Sequence, residues 1–158
     1  MEQARNIVFV AILILFLPLL LAWAVVYIPF FLIWGAVLRI WFWRVHASRG
    51  RFILFVYSDS PNWQSYVEAN ILPQIRHHAV ILNWSERRNW SETHPWEERF
   101  FQRFAGNREF NPVALVFGPR ARVKKVRFYR AFLDYKHGNP TPLQRAESEL
   151  LELARVSA

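Results

Sequence analysis

The chain has no cysteine, one methionine and only three lysines among its 20 basic residues, and it carries no Asp, Glu, Lys, Arg or His between Ile7 and Leu38. Without cysteine there is no structural disulfide, no thiol nucleophile and no thiolate metal site. The uncharged run makes a core helix of a soluble domain a poor reading, since its 32 residues exceed the roughly 20 that one helix needs to cross hydrocarbon. The run is expected to be retained, since a cleaved leader would need a short apolar stretch and a small-residue cleavage site rather than a run continuing through Trp34 into Arg39, Trp41 and Trp43.

What remains is one membrane anchor and one domain: residues 1–45 and residues 46–158. From Arg39 onward the chain holds 19 basic and 11 acidic residues, so the whole formal charge of +8 lies beyond the anchor. Arg39, Arg44, Arg49 and Arg51 crowd the anchor's end, and such charge stays on the cytoplasmic side, so the domain is expected in the cytoplasm. Arginine outnumbers lysine 17 to 3, a bias associated with GC-rich bacterial genomes, and the expected location is the bacterial inner membrane.

A straight helix of 32 residues would measure about 48 Å against a hydrocarbon core of about 30 Å. Pro18 and Pro29 are the places to bend it, because proline removes a helix donor and crowds the preceding turn. The favoured arrangement is a crossing helix over about 6–28, a kink, and an aromatic interfacial stretch over about 30–43. Trp34, Trp41 and Trp43 would then lie at the membrane interface with Arg39 and Arg44. The alternative is a re-entrant hairpin turning near Pro18, which would put Met1 on the other side.

In the domain, Arg51 to Ser58 (RFILFVYS) reads as a buried strand, and Asp59 or Ser60 as the cap of a helix opening at Pro61 and ending by Pro73. Ala79 to Trp84 reads as a second strand. The tandem NWSERRNWSE reads as a loop, and its two Asn-Trp-Ser sequons have no meaning on a cytoplasmic domain. Pro95 opens a helix over Trp96 to Phe104 that Gly106 closes. Val113 to Phe117 and Arg122 to Phe128 form a hairpin whose second arm is charged as an edge strand should be. Thr141, Pro142 and Gln144 open a last helix reaching about Arg155.

The order βαβαββα, the strand running into a proline-bearing helix start, Asn111-Pro112 directly before VALVF, and the hairpin with its final helix resemble the thioredoxin fold. The resemblance spans roughly Arg51 to Arg155. It implies an α/β domain with a central mixed sheet, with Asn111-Pro112 at the position of the family's cis-proline. It also places Ser60, Pro61, Asn62, Trp63 and Gln64 where a CxxC pair would fall. The cysteines are missing, so the redox chemistry that the family implies has no thiolate here.

No pattern of residues makes an active site. His46, His77, His78, His94 and His137 lack metal-ligand spacing, and Asp59, Glu68 and Glu109 are not placed as an acid/base pair. No catalytic residue, metal or cofactor is therefore expected. The interaction candidates are the basic run Arg120, Arg122, Lys124, Lys125, Arg127 and Arg130, with Trp63, Trp90 and Trp96. Basic charge beside Phe128 and Tyr129 could serve nucleic acid, but for a tethered domain anionic lipid headgroups or neighbouring membrane subunits are the simpler partners. The expected role is a non-catalytic structural subunit of a larger membrane complex, with a respiratory or photosynthetic assembly as a natural host. The alternative is a small ligand-binding protein or enzyme using the cleft near Ser60 and Asn111-Pro112.

Overall fold

The computed structural model describes residues 2–106, 111–118 and 122–157, with side chains from residue 16 onward. The chain divides into two units, residues 1–37 and 38–158. The described residues of the first unit are helical and belong to α1, which runs unbroken over Glu2–Val45 and contains both Pro18 and Pro29. Its apolar stretch has a mean hydropathy of 2.4 and makes α1 the one helix, among the described residues, long and apolar enough to cross a membrane. Large apolar side chains from Phe16 to Val37, apart from the half-buried Trp34, are 40–72% exposed. Trp23, Tyr27 and Phe31, one helical turn apart, stack in a ladder with ring centroids 4.5 and 5.8 Å apart.

The second unit is built on a four-stranded mixed sheet. Its strands are β1 (Ile53–Tyr57), β2 (Ala79–Asn83), β3 (Val113–Phe117) and β4 (Val123–Arg127), in the order β2-β1-β3-β4. β1 runs parallel to β2 and antiparallel to β3, and β4 is antiparallel to β3. The runs FILFV and VALVF are therefore paired in the centre, Leu54 facing Leu115 and Phe55 facing Ala114. Both strands are continuously apolar because both of their faces are covered. All of β3 is buried, as is β1 up to Tyr57.

Pairing sorts the side chains onto two faces. Phe117, on the face of Leu115 and Leu54, meets Phe42 at the end of α1, their centroids 5.6 Å apart. Phe42 also stacks on Phe100 of α5 (Pro95–Phe104) at 4.4 Å. Phe55, on the other face, meets Phe128 at 6.0 Å, and α7 (Thr141–Ser157) packs over β3 and β4 there with Leu143, Ala146 and Leu150 buried. The result is a sheet between two helical layers.

Several elements differ from the sequence-based expectation. The helix expected from Pro61 starts later: 61–63 form a turn, α2 spans Gln64–Tyr66, a π segment covers Val67–Ile71, and α3 spans Leu72–Ile75. Pro73 accounts for the widened turn, since it has no N–H to donate and its ring displaces the carbonyl below. The NWSERRNW stretch is a 3-10 helix over Trp84–Asn89 followed by α4 (Trp90–Thr93), not an open loop. A further helix, α6 (Tyr129–Lys136), follows β4 and buries Ala131 and Phe132. Gly106, φ +104°, lies just past α5 where a closing residue was expected, and the Asn111–Pro112 peptide is cis.

Candidate interaction surface

The junction between β1 and α2 is held by its own polar groups. Asn83 donates from Nδ2 to Oδ1 of Asp59 at 2.8 Å, and the Asp59 N–H donates to Oγ of Ser85 at 3.1 Å. Ser60 accepts on Oγ from the Asn62 N–H at 3.4 Å, a turn-capping role. Trp63 donates from Nε1 to Oγ of Ser58 at 3.3 Å and lies against Tyr129 and Phe132. Glu68 accepts from Tyr57 and Gln64. Burial, then the charge and hydrogen bond of Glu68, push the Tyr57 phenol up. Asp59 and Glu68 are thus engaged with separate partners, and Glu109 lies outside the described residues.

Of the three tryptophans proposed as contact residues, Trp90 is a core residue. It is 3% exposed and packs against Trp84 and Phe101 at 5.6 and 5.9 Å. Its sequence neighbours are polar, which made it look like a loop residue. Folding of that stretch into 3-10 and α-helical turns carries its ring inward. Two surface cavities flank it, one of about 180 Å³ beside Asn83, Glu86 and His94 and one of about 220 Å³ beside Trp84, Arg87 and Gln102.

Trp96, 36% exposed, stacks on Trp41 at 5.7 Å. Trp41 therefore lies against α5, whereas Trp43 is 53% exposed. Trp34 is half-buried, and Arg44 is exposed. The Arg39 guanidinium lies 5.9 Å from the centre of the Phe104 ring, and the Arg103 guanidinium lies 5.3 Å from the same ring. Arg99 sits 5.1 Å from the ring of Trp96. Sequence reading had singled out Arg39, Trp41 and Trp96 separately and passed over Arg99 and Arg103. Their signal was the spacing Trp96, Arg99, Arg103, which puts all three on one stripe of a helix.

The basic run falls on the edge strand β4 and its flanks, with Arg130 in α6. Arg122, Lys124, Arg127 and Arg130 are exposed, and Lys125 donates from Nζ to the carbonyl of Ala105 at 3.0 Å. Lys125 thereby ties β4 to the end of α5, while Lys124 and Arg127 charge an edge that would otherwise invite strand addition. Arg120 lies outside the described residues.

Where α1 ends, His46 and Glu97 form an ion pair of 2.9 Å between Nε2 and Oε1. Burial alone would raise the Glu97 carboxyl. The hydrogen bond from His46, the residue's own backbone and the nearby charges of His46 and His94 outweigh it and hold the carboxyl below its usual value. Among the described residues no group of three or more His, Asp or Glu side chains is placed to hold a metal ion. No protein family, no curated protein and no solved structure matches the chain.

Proposed function

We propose that this chain is a non-catalytic, membrane-anchored interaction subunit whose cytoplasmic domain docks on a larger bacterial membrane complex and stabilises it. The observation that carries the reading is at the end of α1. The helix exposes large apolar side chains between Phe16 and Val37, which suits lipid or apolar neighbours. Its last turns then bury Leu38 and Phe42 in the core of the domain. An anchor built into a core in this way suits a part that positions a surface at the membrane.

We read the domain as thioredoxin-like without redox chemistry. The sheet order, with β2 parallel and β3 antiparallel to β1, supports this, as does the sequence of strands and helices. The stretch that would hold the redox pair is occupied by Ser60, Asn62 and Trp63, tied into local hydrogen bonds. The basic residues that crowd the end of the apolar run support the cytoplasmic side.

A ligand-binding role is the second reading, favoured by the cavities beside Trp90. Their volumes of about 180 and 220 Å³ fall below the roughly 300 Å³ at which small-molecule sites commonly begin, which makes it secondary. Native gel electrophoresis of gently solubilised source membranes tests the choice. The chain should migrate with a complex far larger than 18.9 kDa, and deleting its gene should lower that complex's abundance. A monodisperse monomer with turnover or a bound small molecule would overturn the proposal.

A further inference from the structure

The register of the four strands brings the approaches to β1, β2 and β4 and the exit from β3 to one end of the sheet. Hydrogen bonds outside the ladder tie these turns together. The Phe117 N–H donates to the Phe52 carbonyl and the Gly118 N–H to the Arg122 carbonyl, both at 2.7 Å, and His78 donates from Nδ1 to the Gly50 carbonyl at 3.0 Å. The His46 carbonyl accepts from the N–H groups of Arg49 and Arg51 at 2.9 and 3.0 Å, which closes the turn after α1. This end is a preorganised surface.

It is also basic. Arg49, Arg51, Arg76 and Arg122 are exposed, and among the described residues their guanidinium groups have no hydrogen bond, ion pair or ring contact. The carboxylates that follow the parallel strands stand at the opposite end, Asp59 after β1 and Glu86 after β2. Glu97, which reaches the turn after α1, is paired with His46. α7 ends beside Gly118 and brings Glu152 and Arg155, whose charges cancel. Cations just past a helix can serve only to offset its last carbonyls, a role open to Arg49 and Arg76. Arg51 and Arg122 lead into strands instead, so helix ends do not account for the set. Four strands side by side span about 14 Å, the length of about four residues of extended chain. Guanidinium forks match carboxylates with two parallel hydrogen bonds. The rings at this end, Phe52 and Phe117, are buried and offer no face on which a base could stack.

We propose that Arg49, Arg51, Arg76 and Arg122 form the surface by which the domain docks on a carboxylate-rich segment of a neighbouring protein subunit. The inference rests on the reading of the chain as a docking subunit, and it names the face and the chemistry of the contact. Each exposed ion pair changes affinity about two- to threefold, so replacing Arg49, Arg51 and Arg76 together by Gln should weaken binding about tenfold.

The test uses the full chain in nanodiscs of neutral phosphatidylcholine and a fluorescent polyglutamate peptide, with binding read by anisotropy. The wild-type chain should bind the peptide at low salt and release it at high salt. The triple variant should show the tenfold loss. Replacing Arg88 and Arg130, which stand past the opposite ends of β2 and β4, should change affinity less than about twofold. Binding that ignores salt overturns the proposal, as does an equal loss in the two variants. Loss of peptide binding by the wild-type chain in discs containing phosphatidylglycerol would assign the arginines to lipid headgroups, which also overturns it. The salt and lipid comparisons use the wild-type chain and stand even if a variant folds poorly. On native gels of source membranes, the triple variant should leave the large complex and the Arg88 and Arg130 variant should stay with it. Retention of the triple variant would refute this face alone, whereas a wild-type chain that migrates by itself would refute the docking reading and the face with it.

Discussion

Replacing Phe42 by alanine should destabilise the domain, although Phe42 lies in the helix that begins as a long apolar run. The ring is fully buried, stacks on Phe100 at 4.4 Å and touches Phe117 at 5.6 Å. Returning a buried ring to water costs about 3 kcal/mol, and losing an aromatic pair of this geometry costs about 1 kcal/mol more. The sum of about 4 kcal/mol agrees with the usual cost of about 3–5 kcal/mol for Phe→Ala in a core. With a urea slope of about 2 kcal/mol per M, the unfolding midpoint should fall by about 2 M. Pulse proteolysis of the full chain in mild detergent measures this, with exposed Trp43→Ala as the comparison, expected within about 0.5 kcal/mol of wild type. If Phe42→Ala and Trp43→Ala behaved alike, the end of α1 would not belong to the core.

The Glu97 carboxyl, held below its usual value mainly by His46 against the opposing effect of burial, contributes stability that is complete above the ordinary carboxylate pKa. That contribution is lost as the pH falls through the folded value, so wild type should lose its advantage over Glu97→Gln between about pH 5 and pH 3 in urea midpoints. Tyr66, raised to about 12 by burial and then by its hydrogen bond and proximity to Glu147, favours its neutral form. The associated stability is present below the ordinary phenol pKa and lost as the pH rises toward 12. Tyr66→Phe should remove the last step of an ultraviolet phenolate titration, and persistence of that step would reject the assignment. Asn83→Ala removes both the contact to Asp59 and the cap on the Ser85 N–H, 2.9 Å from Oδ1. A loss of about 1.5 kcal/mol in chemical denaturation is expected, and wild-type stability would show that the junction is held by other groups.

The central strands were legible because burial on both faces leaves a continuous apolar run, and FILFV and VALVF have no polar residue to misread. The edge position of β4 was legible for the opposite reason, its lysines and arginines. α6 was missed because Phe128, at its cap position, has an apolar ring that makes no capping hydrogen bond to announce a start. Its first aromatic residues also continue the β4 pattern. The 3-10 turn after β2 was missed because WSERRN is polar, and what folds it is the distant packing of Trp84 on Phe101 at 5.6 Å. The aromatic residues after Pro29 were the most ambiguous. Tryptophan and phenylalanine satisfy a bilayer interface and a protein core through the same physics, so only tertiary contact separates Phe42, which is buried, from Trp43, which is not.

Leu38 and Phe42 occupy the domain core, and while they do so they cannot dissolve in lipid. Hydropathy alone lets a run as long as this one slide through a bilayer by a turn or more at little cost, since its side chains are apolar at every depth. If α1 crosses a bilayer, domain folding limits that freedom: drawing its last turns into hydrocarbon would extract Phe42 from its place on Phe100, at about 4 kcal/mol, and would submerge Arg39 at about 3 kcal/mol. A helix that crossed a bilayer with its last turns held in this way would carry a depth gauge made of protein, and a bilayer of different thickness would have to adapt to it.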